Sequence, residues 1–227
     1  MRVLLSSALC LVCASASAQL SLSSSLGHSD VGFACQDYST PVGYTQTTSC
    51  QRGRPAFTAR LGKTWPNGLG LETSLYYVEH ALAKSSNPFI ALIIDGRNGT
   101  GTYRETRYQY KSLSGSIALT GTLSLSESNT IDIKVGWART LSELTRSHSL
   151  VGSNDNVFPK ISTKAARYGP YFGATLAHAF SKHLAAVISL ESLPIATPEA
   201  TEEMLFSLTP SKRTRSAVAS AGIRASF

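Results

Sequence analysis

The chain is predicted to be all-β, an eight-stranded antiparallel transmembrane β-barrel. Three observations predict it. Eight segments alternate at the strand period of two, tight and long connections separate them in strict rotation, and charges fall on the face opposite the large apolar residues. The last segment is the clearest. Between Thr214 and Phe227, one face holds Ala217, Ala219, Ala221, Ile223, Ala225 and Phe227, and the other Ser216, Ser220, Gly222 and Arg224.

The first strand is Gln19 to Gly27, with Leu20, Leu22 and Leu26 on one face. After a long loop, Ala56 to Thr64 aligns Phe57, Ala59 and Leu61. Trp65-Pro66-Asn67-Gly68 is a tight-turn signal, and Leu69 to Val78 returns with Leu69, Leu71, Leu75 and Tyr77 aligned. A second long loop is expected from Glu79 to Lys111. Leu113 to Leu125 sets Leu113, Ile117, Leu119 and Leu123 against Ser114, Ser116, Thr120 and Ser124. Past the turn Ser126-Glu127-Ser128-Asn129, Thr130 to Thr140 sets Ile131, Ile133, Val135 and Trp137 against Asp132, Lys134 and Gly136. A third loop is expected from Leu141 to Lys164. Ala166 to Phe180 places Tyr168, Phe172, Ala174 and Leu176 opposite Arg167, Gly169, Tyr171 and Thr175. The turn Ser181-Lys182-His183 leads into Leu184 to Ser192, where Leu184, Ala186, Ile188 and Leu190 oppose Ala185, Ser189 and Glu191. A fourth loop, Leu193 to Arg213, precedes the closing strand.

Ahead of the strands, Met1 to Ala18 reads as an export segment. It has one positive charge at Arg2, an apolar run from Val3 to Ala14, and the small-residue site Ala16-Ser17-Ala18. Residues 1–18 are therefore expected to be a removed signal peptide, and Cys10 and Cys13 leave with it. The remaining chain from Gln19 is long enough for one domain, and loss of Arg2 lowers the formal charge from +7 to +6.

No other apolar stretch approaches the roughly 18 residues that a spanning helix needs, so a membrane form must cross with strands. Lipid cannot satisfy an open sheet edge, which requires closure. Short periplasmic turns and long external loops are the usual asymmetry of such barrels, and an even strand count puts both termini on the periplasmic side. A soluble lipocalin-like barrel or sandwich also alternates, but would put its polar residues outside. Seven charges on the second face, Arg60, Glu72, Asp132, Lys134, Arg167, Glu191 and Arg224, fit a narrow polar lumen better.

Several short motifs carry a family resemblance. They are Arg60-Leu61-Gly62 before a turn, Gly70-Leu71-Glu72 after it, Tyr171-Phe172-Gly173-Ala174 through Phe180-Ser181-Lys182 to Leu184, and the ending Gly222-Ile223-Arg224-Ala225-Ser226-Phe227. With them the chain resembles the OmpA-like transmembrane domain and related small outer-membrane β-barrels, over essentially all of residues 19–227. The resemblance implies an outer-membrane β-barrel domain at 19–227, localisation in the outer membrane of a Gram-negative-type bacterium, and Phe227 as the C-terminal insertion signal read by the barrel-assembly machinery. The family's separate peptidoglycan-binding domain has no counterpart in the sequence given.

The candidate site is the lumen. An eight-stranded barrel is just wide enough for side chains to fill it, so the seven charges are expected to form a structural ion-pair network that plugs it, with a gated ion path as the alternative. Cys35 and Cys50 flank the turn-rich Tyr38-Ser39-Thr40-Pro41-Val42-Gly43 and are expected to form a disulfide across the first external loop. Neither has a nearby histidine pair, so no metal and no cofactor is expected. Glu143, Ser147, His148 and Ser149 bring together the residue types of a hydrolase in one stretch, but without the spacing of the barrel deacylases, and read as solvated loop residues. His28, His80, His178 and His183 read as boundary residues. Gly96-Arg97-Asn98-Gly99-Thr100-Gly101 lacks the lysine of a phosphate loop and reads as a hairpin tip.

Trp65, Phe180 and Phe227 suit a periplasmic aromatic girdle, and Trp137 is expected near a strand end. Basic residues including Arg97, Arg104, Arg107, Lys111, Arg146, Lys160, Lys164, Lys212, Arg213 and Arg215 give the external rim a positive field suited to outer-membrane lipid and lipopolysaccharide phosphates. Nucleic acid does not fit such a location. The expected function is a non-enzymatic barrel contributing to envelope integrity or surface interaction through its loops. A lipid A-modifying enzyme and a narrow pore are the alternatives. The disulfide is testable directly: alkylation of the intact exported protein is expected to find no free thiol, and two reactive cysteines would show that the bond is absent.

Overall fold

The structure is a computed structural model that describes residues 18–29, 33–35, 38–39, 47–50, 55–87, 104–150, 160–196, 198, 208–210 and 215–227. In chain order the strands are β1 (Gln19–Ser29), β2 (Phe33–Cys35), β3 (Tyr38–Ser39), β4 (Thr47–Cys50), β5 (Pro55–Thr64), β6 (Leu69–Asn87), β7 (Arg104–Ser124), β8 (Asn129–Leu150), β9 (Ile161–Ala179), β10 (Leu184–Pro194), β11 (Leu208–Pro210) and β12 (Arg215–Ser226). Eight of them close a ring, β1–β5–β6–β7–β8–β9–β10–β12, in which every pair is antiparallel and β12 returns to β1. The seam runs from Ser21↔Ser226 to Ser29↔Val218, and Leu20 and Phe227 exchange backbone bonds at its lower end (3.2 and 2.8 Å). Closure leaves this ring without the exposed edge that lipid forbids.

The three tight turns are built as their residues dictate. Trp65 N–H donates to the Leu69 carbonyl at 2.8 Å, and Gly68, at φ 79°, donates to the Trp65 carbonyl at 3.0 Å. That left-handed conformation suits glycine. Ser126 Oγ accepts from both the Asn129 backbone N–H (3.1 Å) and its side-chain amide (2.7 Å), and Ser181 Oγ accepts from Leu184 N–H (3.1 Å).

Across the ring, large apolar side chains point outward. Leu26, Ile117, Leu119, Ile133, Trp137, Ile188, Leu190 and Ile223 are all at least half exposed, while the alternating positions carry buried Ser, Thr and charged residues. This inside-out pattern is the one that lipid selects. It ends at a definite row, Tyr77, Leu113, Leu141 and Ala166, which are register partners on four adjacent strands. Above that row the code inverts. Tyr108, Tyr110 and Leu144 are buried, and Arg107, Gln109 and Glu143 face out. Water now surrounds the wall, so it follows the ordinary soluble rule.

The inversion corrects two expected loops. Much of 79–111 and 141–164 is strand, because β6, β7 and β8 run 19, 21 and 22 residues, about twice the 9–11 that cross the hydrocarbon. A register shift at Ala81/Ala83 marks this upper part of β6, and β4 with β3 extends its sheet sideways. The hairpin tip at 96–101 and the apolar stretch 89–94 lie outside the described residues. Cys35 pairs with Leu208 between β2 and β11 and Cys50 with Ala83 between β4 and β6, while both cysteine side chains lie outside the described residues. Phe180 and Phe227 are exposed at the turn end, Trp65 is half-buried there, and Trp137 sits within β8 rather than near its end.

Depth along the outer face gives a test. Ile188→Arg, well inside the apolar band, is expected to lower urea stability in a bilayer by about 2–4 kcal/mol, and Leu184→Arg at the turn end by about 0–1 kcal/mol. Equal losses at the two positions would contradict the assigned orientation.

Candidate functional site

The site with the most chemistry is the lumen, and Glu191 is its centre. The carboxylate is 1 % exposed and accepts from two cations. Arg60 grips it with two parallel bonds, Nε to Oε1 at 3.1 Å and Nη2 to Oε2 at 2.8 Å, and Lys134 Nζ reaches Oε1 at 3.2 Å. Tyr171 adds a hydroxyl bond at 2.9 Å and itself accepts from Tyr76 at 3.0 Å. Lys134 is shared, with its shorter contact to Glu72 at 2.7 Å, and Glu72 also accepts from Ser74 at 3.0 Å. The remaining guanidinium donors of Arg60 go to Ser25 (2.9 Å) and Ser220 (3.2 Å).

Three strands make the centre possible through one residue without a side chain. Lys134, Gly173 and Glu191 are register partners across β8, β9 and β10. A Cβ at Gly173 would lie 3.0 Å from the Glu191 stem, 3.1 Å from the Tyr171 hydroxyl and 3.5 Å from the Lys134 stem. The glycine leaves the volume that the ion pairs fill. Nearer the periplasmic turns, Arg224 bonds Asp132 at 2.5 Å, and Asp132 accepts from Thr122 at 2.7 Å. Hydroxyl pairs knit neighbouring strands around these charges: Thr175 with Ser189, Ser29 with Ser216, Ser114 with Thr140.

Six of the seven expected lumen charges thus meet as three bases and three acids. Arg167 does not join them and is exposed. Its register partner is Thr140, at a level where β9 has already parted from β10, whose last shared pair is Ser192↔Phe172. The vacated interior is taken by the end of β10, still paired with β12, and the residues that follow it. Leu193, Pro194, Ile195 and Ala196 turn inward and are buried, and Thr140 and Tyr110 hydroxyls donate to the Pro194 and Ala196 carbonyls (2.8 and 3.5 Å). The excess of bases expected from the sequence therefore becomes a balance.

This inward strap replaces the start of the expected fourth loop, and its signal in the sequence is the apolar Leu193-Pro194-Ile195. With Val78, Tyr110 and Val218 it makes an apolar cap above the ion pairs, and the space left beneath it is about 20 Å³. That is room for about one water molecule.

The other candidates are dispersed. Glu143 accepts from Ser162 at 2.7 Å on the outer face. The side chains at 148 and 149 lie outside the described residues, as does that of His80. His178 bonds Asn129 (2.9 Å) and stacks edge-on to Phe180, and His183 bonds the Ser226 carbonyl (3.0 Å), both beside tight turns. His28 is exposed near the upper end of β1. Of the rim bases, Arg146 is buried, Arg215 bonds Ser192, and Arg97, Lys212 and Arg213 lie outside the described residues.

Truncating Glu191 to Ala leaves the buried Arg60 without a carboxylate and Lys134 with Glu72 alone, and is expected to cost about 3–5 kcal/mol. Glu72→Ala should cost less, because Lys134 keeps Glu191. Urea titration of the refolded variants decides it, and an equal or greater loss at Glu72 would remove Glu191 from the centre.

No family model matches the sequence, and no curated protein does. Solved structures do. A major outer membrane protein of Thermus thermophilus is similar at TM-score 0.51 and 10% identity over 92% of this chain and 99% of that one. Ail of Yersinia pestis is similar at TM-score 0.47 and 9% identity over 93% and 99%. The N-terminal β-barrel domain of Pseudomonas aeruginosa OprF is similar at TM-score 0.33 and 10% identity over 92% and 97%. At these identities the likeness is one of architecture, and the chain has the small eight-stranded outer-membrane barrel fold that its sequence resembles.

Proposed function

We propose that the protein is a non-enzymatic outer-membrane barrel, a sealed membrane anchor that contributes to envelope integrity or surface interaction through its external part. The observation that carries this reading is the double closure of the lumen, by ion pairs below and by the Leu193–Ala196 strap above. A pore would need a continuous polar path. Only about 20 Å³ is left between the ion pairs and the strap, and a separate recess of about 180 Å³ beside Asp132 and Arg224 lies at the turn end below them. Against catalysis, the Glu143 carboxylate of the β8 segment is taken by Ser162 on the outer face.

The further parts of the reading follow from the sequence. Residues 1–18 direct export, Phe227 and the strand before it address the barrel-assembly machinery, and Cys35 and Cys50 close a loop. Outer-membrane lipid and lipopolysaccharide are the partners, and nucleic acid is not.

Two measurements test it together. In planar bilayers the refolded protein is expected to give no steady conductance, and lipid A from cells with and without the protein is expected to carry the same acyl chains and phosphates by mass spectrometry. Stable single-channel steps would replace the anchor with a pore, and a changed lipid A mass would replace it with an enzyme.

A further inference from the structure

The outer wall carries a feature that a passive anchor does not need. Directly above the apolar row Tyr77, Leu113, Leu141 and Ala166 runs a row of alternating charge, Glu79, Lys111, Glu143 and Lys164, again register partners on β6 to β9. Between the two rows lies an open recess of about 460 Å³, with Leu113, Leu141 and Tyr77 as its apolar part and Lys111, Glu143 and Lys164 along its polar edge. One row lower come Leu75, Gly115, Arg139 and Tyr168. A Cβ at Gly115 would meet nothing within 4 Å, so open space lies beside the wall there.

The cations of this patch are not equally satisfied. Lys111 is held by Glu79 at 3.0 Å, and Glu79 also takes bonds from Tyr77 and Gln109. The Tyr77 hydroxyl and the Lys111 ammonium hold the Glu79 carboxyl below its ordinary range. Glu143 is occupied by Ser162. Lys164 and Arg139 have no carboxylate partner among the described residues. Arg139 stands on the lipid-facing side, between Trp137 and Leu141 on its strand, with its guanidinium 5.0 Å from the Tyr168 ring centre. A ring contact takes up none of the carboxylate-type bonds that the guanidinium N–H groups can make to an oxyanion. By strand spacing, Arg139 and Lys164 are about 14 Å apart at the backbone, a span that two long side chains close from either side onto one group.

We propose that this recess seats the phosphate headgroup of an acylated, phosphorylated lipid of the outer leaflet, with Arg139 and Lys164 on the phosphate and an acyl chain against Leu113 and Leu141. The inference rests on the outer-membrane placement above and names the site through which the barrel meets its lipid. Charge selects the headgroup, and the apolar floor selects an acylated molecule over a soluble anion. The position, at the row where the outer wall changes from apolar to charged, is the depth at which lipid phosphates lie.

Native mass spectrometry of the refolded, detergent-solubilised protein tests it, with lipid A and chemically dephosphorylated lipid A as probes. Wild type is expected to retain the phosphorylated form at least about tenfold better. The double variant Arg139→Gln, Lys164→Gln is expected to lose that preference, and Lys182→Gln on a periplasmic turn to keep it. Equal retention of the two lipids by wild type would overturn the site, and so would an undiminished preference in the double variant. Displacement by millimolar inorganic phosphate would overturn the lipid occupant. A heat-dependent gel shift reports whether the double variant is folded, and the wild-type comparison decides the matter if it is not. Conductance and lipid A composition are separate readouts, so a sealed, inactive barrel without lipid preference would remove this site and leave the functional reading standing.

Discussion

A strand that crosses lipid must put its polar residues on the inside, and eight strands leave an interior just wide enough for side chains to fill. Charges in that interior have to neutralise one another at contact distance, since an isolated one is far too costly. Glu191 meets this constraint. It takes a two-point grip from Arg60 and a shared ammonium from Lys134, and Tyr171 occupies a further lone pair. Three strands must be in register for those groups to meet, so the network also fixes which residue of β10 faces which residue of β9 and β8. A slip by one residue would turn every charge to the lipid and every leucine to the lumen.

The arrangement favours the proposed anchor over a conduit. Ion pairs close the lower lumen, and the strap at the end of β10 closes the upper one with apolar contacts and two hydroxyl-to-carbonyl bonds. The strap is possible because β9 and β10 separate above Phe172 and Ser192. Arg215 stabilises the point of separation, bonding the Ser192 hydroxyl and carbonyl and lying over the Phe172 ring.

Much of this was legible in the sequence, for a physical reason. Alternation survives wherever one side of a strand meets lipid and the other meets charge, and all eight barrel strands show it. What was not legible follows the same logic. Above Tyr77 and Leu141 both environments change, so Arg107, Tyr108, Gln109 and Tyr110 still alternate but with polarity reversed, and a reading tuned to lipid takes them for loop. Arg167 has the parity of a lumen residue, yet parity alone does not reveal that the neighbouring strand has left. Nor does it reveal that a hydrophobic strap has taken the space. The lipid-facing Arg139 was hidden for the opposite reason, as one charge in an otherwise apolar face.

The central claim is that this sheet is inside-out, with its apolar face in lipid and its charges sealed within. The sequence contains two tryptophans, Trp65 and Trp137, and Trp137 is 60 % exposed on the outer face of β8. A Trp65→Phe variant makes Trp137 the only indole reporter. In vesicles with brominated acyl chains its fluorescence is expected to be strongly quenched, and aqueous iodide to have little effect. Quenching by iodide with none from the brominated chains would put that face in water and contradict the account.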